Sequence, residues 1–173
     1  MINYINGYKR YLDTSFEDKL DIPIGYEDSF WHWFESKAKL YHGNKISRKL
    51  HPTHINQVQN MCYKNSYKIS IAYVKKMLLY EGFSFRRMDE FYNRHSFNVN
   101  RRGIVMDYSL PFNENENHNF GIYIGVKIPL SFARKINNQG SSKDRDHNQY
   151  SLLVSYFLFC NNVEEYLIYS ILP

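Results

Sequence analysis

Between Glu27 and Leu40 the apolar residues Phe30, Trp31, Phe34 and Ala38 fall one, three and four positions apart. That spacing lines one face of an amphipathic helix. Asp28 or Ser29 can cap its start, and Gly43 can stop it. A longer helix is expected from Cys62 to Tyr80, with Ile69, Tyr73, Met77 and Tyr80 on one stripe and Gly82 just past its end. Beyond it the period shortens. Gly82-Phe-Ser-Phe, His95-Ser-Phe-Asn-Val, Gly103-Ile-Val-Met-Asp-Tyr-Ser and Gly121-Ile-Tyr-Ile-Gly-Val-Lys-Ile-Pro read as short strands, with turns at Gly103 and in the Asn-rich stretch 113–119. Residues 1–25 carry turn signals at Gly7, Pro23 and Gly25 and read as an irregular strap or short helix. Residues 44–60 and 134–149 read as loops. Tyr150 to Phe159 is a core helix, and Val163 to Leu172 is a second helix or its continuation.

Helices, then a central helix feeding a small antiparallel sheet, then helices again make an α+β fold. The expected organisation is one domain over 1–173: a helical N-terminal extension (1–50), a core (51–133), a mobile loop (134–149) and a C-terminal helical segment (150–173). A length of 173 residues fits one domain, and 43% hydrophobic with 17% aromatic residues supplies ample core, which excludes a disordered or collagen-like chain. The net charge of +5 permits an anionic partner without requiring one, because the basic residues are scattered. Two cysteines do not make a disulfide framework. The N-terminus lacks the pattern of a secretory signal, and the apolar run Leu152–Cys160 is far short of the ~20 residues a membrane span needs. The expected compartment is the cytoplasm, where a free thiol stays available for chemistry.

Three residues attract attention. Cys62 sits where a polar loop becomes a helix, so its sulfur can lie near the free N–H groups and positive dipole end that favour a thiolate. A free cysteine is also a common small core residue. His95 opens a strand and can take the thiol proton as a neutral imidazole, later protonating a leaving amine. Asp107 lies on the following strand after the turn at Arg101-Arg102-Gly103. Antiparallel pairing would bring it beside His95, where a carboxylate orients the ring and stabilises its protonated form. For support, the Cys62 backbone N–H with Gln59, Gln57 or Asn60 could form an oxyanion hole. Asn65, nearly one helical turn after Cys62, could bond the loop that presents the thiol. Glu81 is either an acceptor behind the site or an exposed charge at a helix end.

The order of nucleophilic Cys at a helix start, His on a strand and Asp on the next strand resembles the transglutaminase-like branch of papain-like cysteine enzymes. More narrowly, Cys62-Tyr63-Lys64-Asn65-Ser66, Glu81-Gly82-Phe83, His95-Ser96-Phe97-Asn98, Asp107-Tyr108-Ser109 and Tyr123-Ile124-Gly125-Val126 are similar to a set of uncharacterised phage and bacterial proteins. The motifs of that set run Cys-Tyr-x-Asn-Ala/Ser, Glu-Gly-Tyr, His-Ala-Trp-Asn, Asp-x-Thr and Tyr-Phe-Gly-Val. The resemblance spans residues 62–129. It departs at His-Ser-Phe and Asp-Tyr-Ser, which keep all three reactive residues. It implies a papain/transglutaminase-like fold and a Cys62–His95–Asp107 triad that hydrolyses an amide, isopeptide or thioester, or transfers the acyl group to an amine. It also implies a protein or peptide-like substrate and a phage protein modifying a host target in the host cytoplasm. The alternative is a non-catalytic binding or inhibitor protein on the same fold that sequesters a host protein or nucleic-acid partner.

Other signals are weaker. His42, His51, His54 and His118 match no common zinc spacing, so neither metal nor any other cofactor is expected. Nucleic acid is a minor candidate partner and a membrane is not one. Trp31, Trp33 and Phe34 read as helix packing, and Cys160, amid Phe157, Leu158 and Phe159, as a buried, inert thiol.

Overall fold

Among the described residues five strands, β1 (Lys39–His42), β2 (Met77–Arg86), β3 (Phe91–Asn100), β4 (Val105–Met106) and β5 (Ile122–Ile128), form a wholly antiparallel sheet in the order β1-β5-β2-β3-β4. The computed structural model describes residues 1–14, 20–43, 62–86, 91–107, 121–139 and 151–163. Among them run α1 (Ile2–Thr14), α2 (Glu27–Lys37), β1 (Lys39–His42), α3 (Cys62–Ala72), β2 (Met77–Arg86), β3 (Phe91–Asn100), β4 (Val105–Met106), β5 (Ile122–Ile128), α4 (Leu130–Gln139) and α5 (Leu152–Cys160). The class is α+β, as the alternation of periods predicts. No described helix is long and apolar enough to cross a membrane.

Several boundaries differ from the sequence expectation, each for a tertiary reason. The segment read as a strap or short helix holds a full helix, α1, followed by a turn in which Gly25 takes φ +87°. Helix α2 stops at Lys37 rather than reaching Leu40. Ala38 swings to the extended region (φ −67°, ψ 148°), and Lys39–His42 pair with β5 instead. Neither Asp28 nor Ser29 caps it; Tyr26 stands at the N-cap with no side-chain bond. The helix expected over Cys62–Tyr80 ends at Ala72. Its apolar spacing was compatible with a helix, but Leu79–Phe85 hydrogen-bond to strands on both sides, to β3 and to β5, and that ladder outweighs the local pattern. Gly82 therefore lies in mid-strand, opposite His95 on one side and Gly125 on the other. Residues 134–139, expected as loop, continue α4. Residues 44–60 and 140–149, expected as loops, the turn expected over 113–119 and, apart from Val163, the helix expected over 163–172 lie outside the described residues.

Strand alternation separates two environments. Leu79, Phe83, Ile124, Val126 and Ile128 point into the main core, packed with Ile5 and Tyr8 of α1, Phe30 and Phe34 of α2, and Val154, Phe157 and Leu158 of α5. Aromatic contacts fill it: Tyr8 stacks on Phe83 with centroids 4.2 Å apart, and Phe30 meets Phe157 edge-on at 5.3 Å. The N-terminal helices thus share one core with the sheet. The Trp31–Trp33–Phe34 cluster belongs to it, Trp33 meeting Phe157 at 5.4 Å. The opposite face gathers Tyr80, Phe97, Val99, Val105 and Tyr123.

Cys160 is exposed, contrary to expectation. The buried face of α5 is Leu153, Val154, Phe157 and Leu158; the 3.6-residue period carries positions 159 and 160 off that face, and Phe159 is itself 46% exposed.

At the sheet's centre Gly82 and Gly125 are register partners, and a Cβ at Gly82 would overlap the Ile124 carbonyl oxygen and come within 2.6 Å of the Gly125 Cα. Replacing Gly82 with alanine is expected to destabilise the protein by about 1–3 kcal/mol, measured as a shift in urea midpoint. An unchanged midpoint would show that the strands can part here without cost.

Candidate active site

Cys62 is the first residue of α3, where backbone N–H groups have no intrahelical acceptor. The helix is fastened to β3 by short polar side chains. Asn98 Nδ2 donates to the Ser66 carbonyl at 3.0 Å and to Ser70 Oγ at 2.8 Å, the Ser66 and Ser96 hydroxyls share a hydrogen bond of 2.5 Å, and Ser96 Oγ also donates to the Tyr80 carbonyl. Ile69 and Met106 add an apolar contact. The alternation Ser96, Asn98 looks like a solvated strand face in the sequence. Both are buried, because α3 covers them and meets them with Ser66 and Ser70.

His95 leaves β3 on the opposite face. The hairpin that follows is set by Asn100, whose side-chain oxygen accepts the N–H groups of Arg102 and Ile104, and by Gly103 at φ +77°. It returns β4 alongside Asn98 and Val99, so that Asp107, one residue past the strand, reaches back to the imidazole. His95 Nε2 and Asp107 Oδ2 are 2.6 Å apart, and both residues are buried, 4% and 5% exposed. The Tyr123 hydroxyl donates to the same carboxylate oxygen at 3.0 Å. In the sequence Tyr123 stands out only as part of the Tyr123-Ile124-Gly125-Val126 motif, with no role at the site, because nothing there shows that β5 lies between β1 and β2.

Burial works against the imidazolium, but the charge and hydrogen bond of Asp107, and after them the Cys62 thiol, outweigh it. They lift the His95 pKa from the ordinary 6.5 to about 10. His95 is therefore charged at neutral pH rather than the neutral ring first expected. Nδ1, the nitrogen not used by Asp107, makes no close hydrogen bond, and Cys62 lies near enough to the ring to add, after Asp107, to the stabilisation of its charged form. Cys62 is itself buried, 8% exposed.

No family model, curated protein or solved structure matches this chain.

The remaining sequence candidates divide. Gln57, Gln59 and Asn60 lie outside the described residues. Asn65 is buried, 3% exposed, in the first turn of α3. Glu81 is neither exposed nor at a helix end: it is 0% exposed within β2. Burial pushes its carboxyl from 4.5 up to about 7, against the opposing pull of the Arg94 charge and the Leu153 backbone N–H at the start of α5. Neither carboxylate oxygen makes a close hydrogen bond. Among the described residues no group of three or more His, Cys, Asp or Glu side chains is placed to hold a metal; His51, His54 and His118 lie outside them.

Proposed function

We propose that this chain is a cysteine-dependent acyl-bond enzyme of the papain/transglutaminase-like kind, acting on a protein or peptide-like substrate. The observation that carries the reading is the 2.6 Å His95–Asp107 contact, with Cys62 as the neighbour of the same imidazole. An imidazolium beside a thiol stabilises the thiolate, which is the nucleophilic form. In the proposed cycle the Cys62 sulfur forms a bond to the substrate carbonyl carbon and the carbonyl electrons move to oxygen, near the free N–H groups at the start of α3. The intermediate collapses by breaking the bond to the leaving group, which takes a proton from His95. Neutral His95 then removes a proton from water or an amine as it attacks the thioester. Collapse of the second intermediate releases the product and restores thiolate and imidazolium. Asp107 keeps the ring oriented and charged between steps, and Tyr123 holds the carboxylate.

The test is the pH profile of iodoacetamide alkylation at Cys62, in a Cys160→Ser variant that removes the exposed thiol. The rate at pH 6 is expected to stay within about tenfold of the rate at pH 8.5. An ordinary thiol, with pKa near 8.5, slows by more than about a hundredfold over that span. A profile of the ordinary kind, unchanged in His95→Ala, would overturn the reading.

The burial of all three residues favours a second reading, in which the fold binds a protein or nucleic-acid partner without catalysis. It predicts the ordinary profile together with partner capture that survives Cys62→Ala.

A further inference from the structure

On the face of the sheet turned away from His95 lies a second polar cluster, drawn from four elements, with Glu81 and Tyr8 buried and Arg94 and Tyr63 half-buried. Arg94, immediately before His95, donates from Nε to the Tyr63 hydroxyl at 2.8 Å, and its guanidinium carbon lies 5.5 Å from the Tyr63 ring centroid. Tyr63 immediately follows Cys62 on α3. Glu81 faces Arg94 from the adjacent strand, where Phe83 is the register partner of Arg94 and Glu81 that of Ser96. Tyr8 of α1 completes the group, contributing to the electrostatics of both Tyr63 and Arg94. Each of the two bonded residues is the chain neighbour of a residue in the candidate triad.

That adjacency has a mechanical meaning. Cys62 and His95 belong to separate elements, and the sulfur-to-ring separation depends on how the first turn of α3 is held against β3. The Ser66–Ser96 and Asn98–Ser70 bonds fix the helix farther along. At the level of the thiol itself, the link described is Arg94 to Tyr63. β4 is no help there, since its pairing stops at Met106 opposite Asn98. A planar guanidinium bonded to a phenol, with a carboxylate behind it, is a directional fastening that a point charge would not reproduce.

We propose that Arg94, Tyr63 and Glu81 form a positioning cluster that sets the separation of Cys62 and His95 from the far side of the sheet. Arg94 and Tyr63 make the link, and Glu81 holds the guanidinium in place. None of the three touches the reacting atoms. The inference rests on the reading of Cys62 and His95 as a functional pair, and the experiment separates the two.

The variant Tyr63→Phe removes the hydroxyl and keeps the ring. It is measured in the Cys160→Ser background by NMR titration of His95, by Cys62 alkylation at pH 6 and by thermal melting. The expected result is that His95 titrates lower by about one unit and alkylation at pH 6 slows roughly tenfold or more, with both changes reproduced by Arg94→Lys, which keeps the charge and loses the Nε donor. Unchanged titration and alkylation, or an Arg94→Lys variant that behaves as the unaltered protein, would overturn the inference even if the melting temperature falls. If the unaltered protein itself alkylates as an ordinary thiol, the enzymatic reading fails, and the His95 titration alone decides the positioning cluster.

Discussion

Removing the Asp107 carboxylate, as in Asp107→Ala, lowers stability by about 3–5 kcal/mol at pH 6, the range for a buried pair that loses one partner. The size follows from what remains. His95 is 4% exposed, and without its counter-charge the burial penalty on the imidazolium is opposed only by the weaker influence of Cys62, so the folded state favours the neutral ring. The Tyr123 hydroxyl loses the acceptor it holds at 3.0 Å. The pH dependence gives the effect a direction. The folded-state pKa of His95 is raised, from 6.5 to about 10, so the stability contributed by the pair is fully present below pH 6.5 and is lost as pH rises through about 10. The gap between the unaltered protein and Asp107→Ala therefore narrows on raising the pH from 6 toward 10. Urea melts at several pH values measure it. A gap that is constant, or that widens with pH, would mean that His95 is not held as a cation by Asp107.

Glu81 supplies the second large effect, and it favours the variant. The folded-state pKa is again raised, from 4.5 to about 7, so the stability tied to the protonated carboxyl is complete below pH 4.5 and disappears as pH climbs through about 7. Glutamine has nearly the same shape and no charge to bury. Near pH 4.5 Glu81→Gln is expected to match the unaltered protein. By pH 8 it is expected to be more stable by about 3 kcal/mol, the equivalent of that shift. Paired denaturation curves at the two pH values check it. Equal stability at pH 8 would place the carboxylate in a better-solvated setting than its 0% exposure indicates. A residue that costs stability at neutral pH needs a reason to be there, and holding Arg94 against Tyr63 is the one offered above.

The mixed class, the presence of strands after the central helix and the sequence order Cys62, His95, Asp107 could be read from the sequence, because each rests on local period or on turn residues such as Gly103; the lengths of β2 and β3, ten residues each against four or five expected, could not. The hairpin through Asn100–Gly103 is local too, which is why the pairing of β3 with β4, and hence the His95–Asp107 contact, was foreseeable. What escaped was non-local. The stretch Met77–Tyr80 carries a helical spacing and becomes a strand only because β3 and β5 flank it, and β5 arrives from distant sequence. The burial of Glu81 and the role of Tyr123 depend on that same arrangement. Ser66, Ser70, Ser96 and Asn98 are ordinary surface residues singly, and form an interface only once helix and strand meet. The Arg94–Tyr63 link is hidden for the same reason.

The position of β5 has a consequence for how the chain comes off the ribosome. Lys39 pairs with Gly125, and Gly82 with the same glycine, so β1 and one edge of β2 have no described partner until the chain has been made past Ile128. Hairpin β2–β3 and the short β4 can form early by local contacts, whereas closing the sheet between β1 and β2 waits for a late, long-range insertion, which topology makes slow. During that interval an apolar, open strand edge is on offer to other nascent chains. Truncated chains ending before Gly121 should therefore be prone to aggregate, and synthesis of the full protein should depend on chaperones more than its modest length suggests.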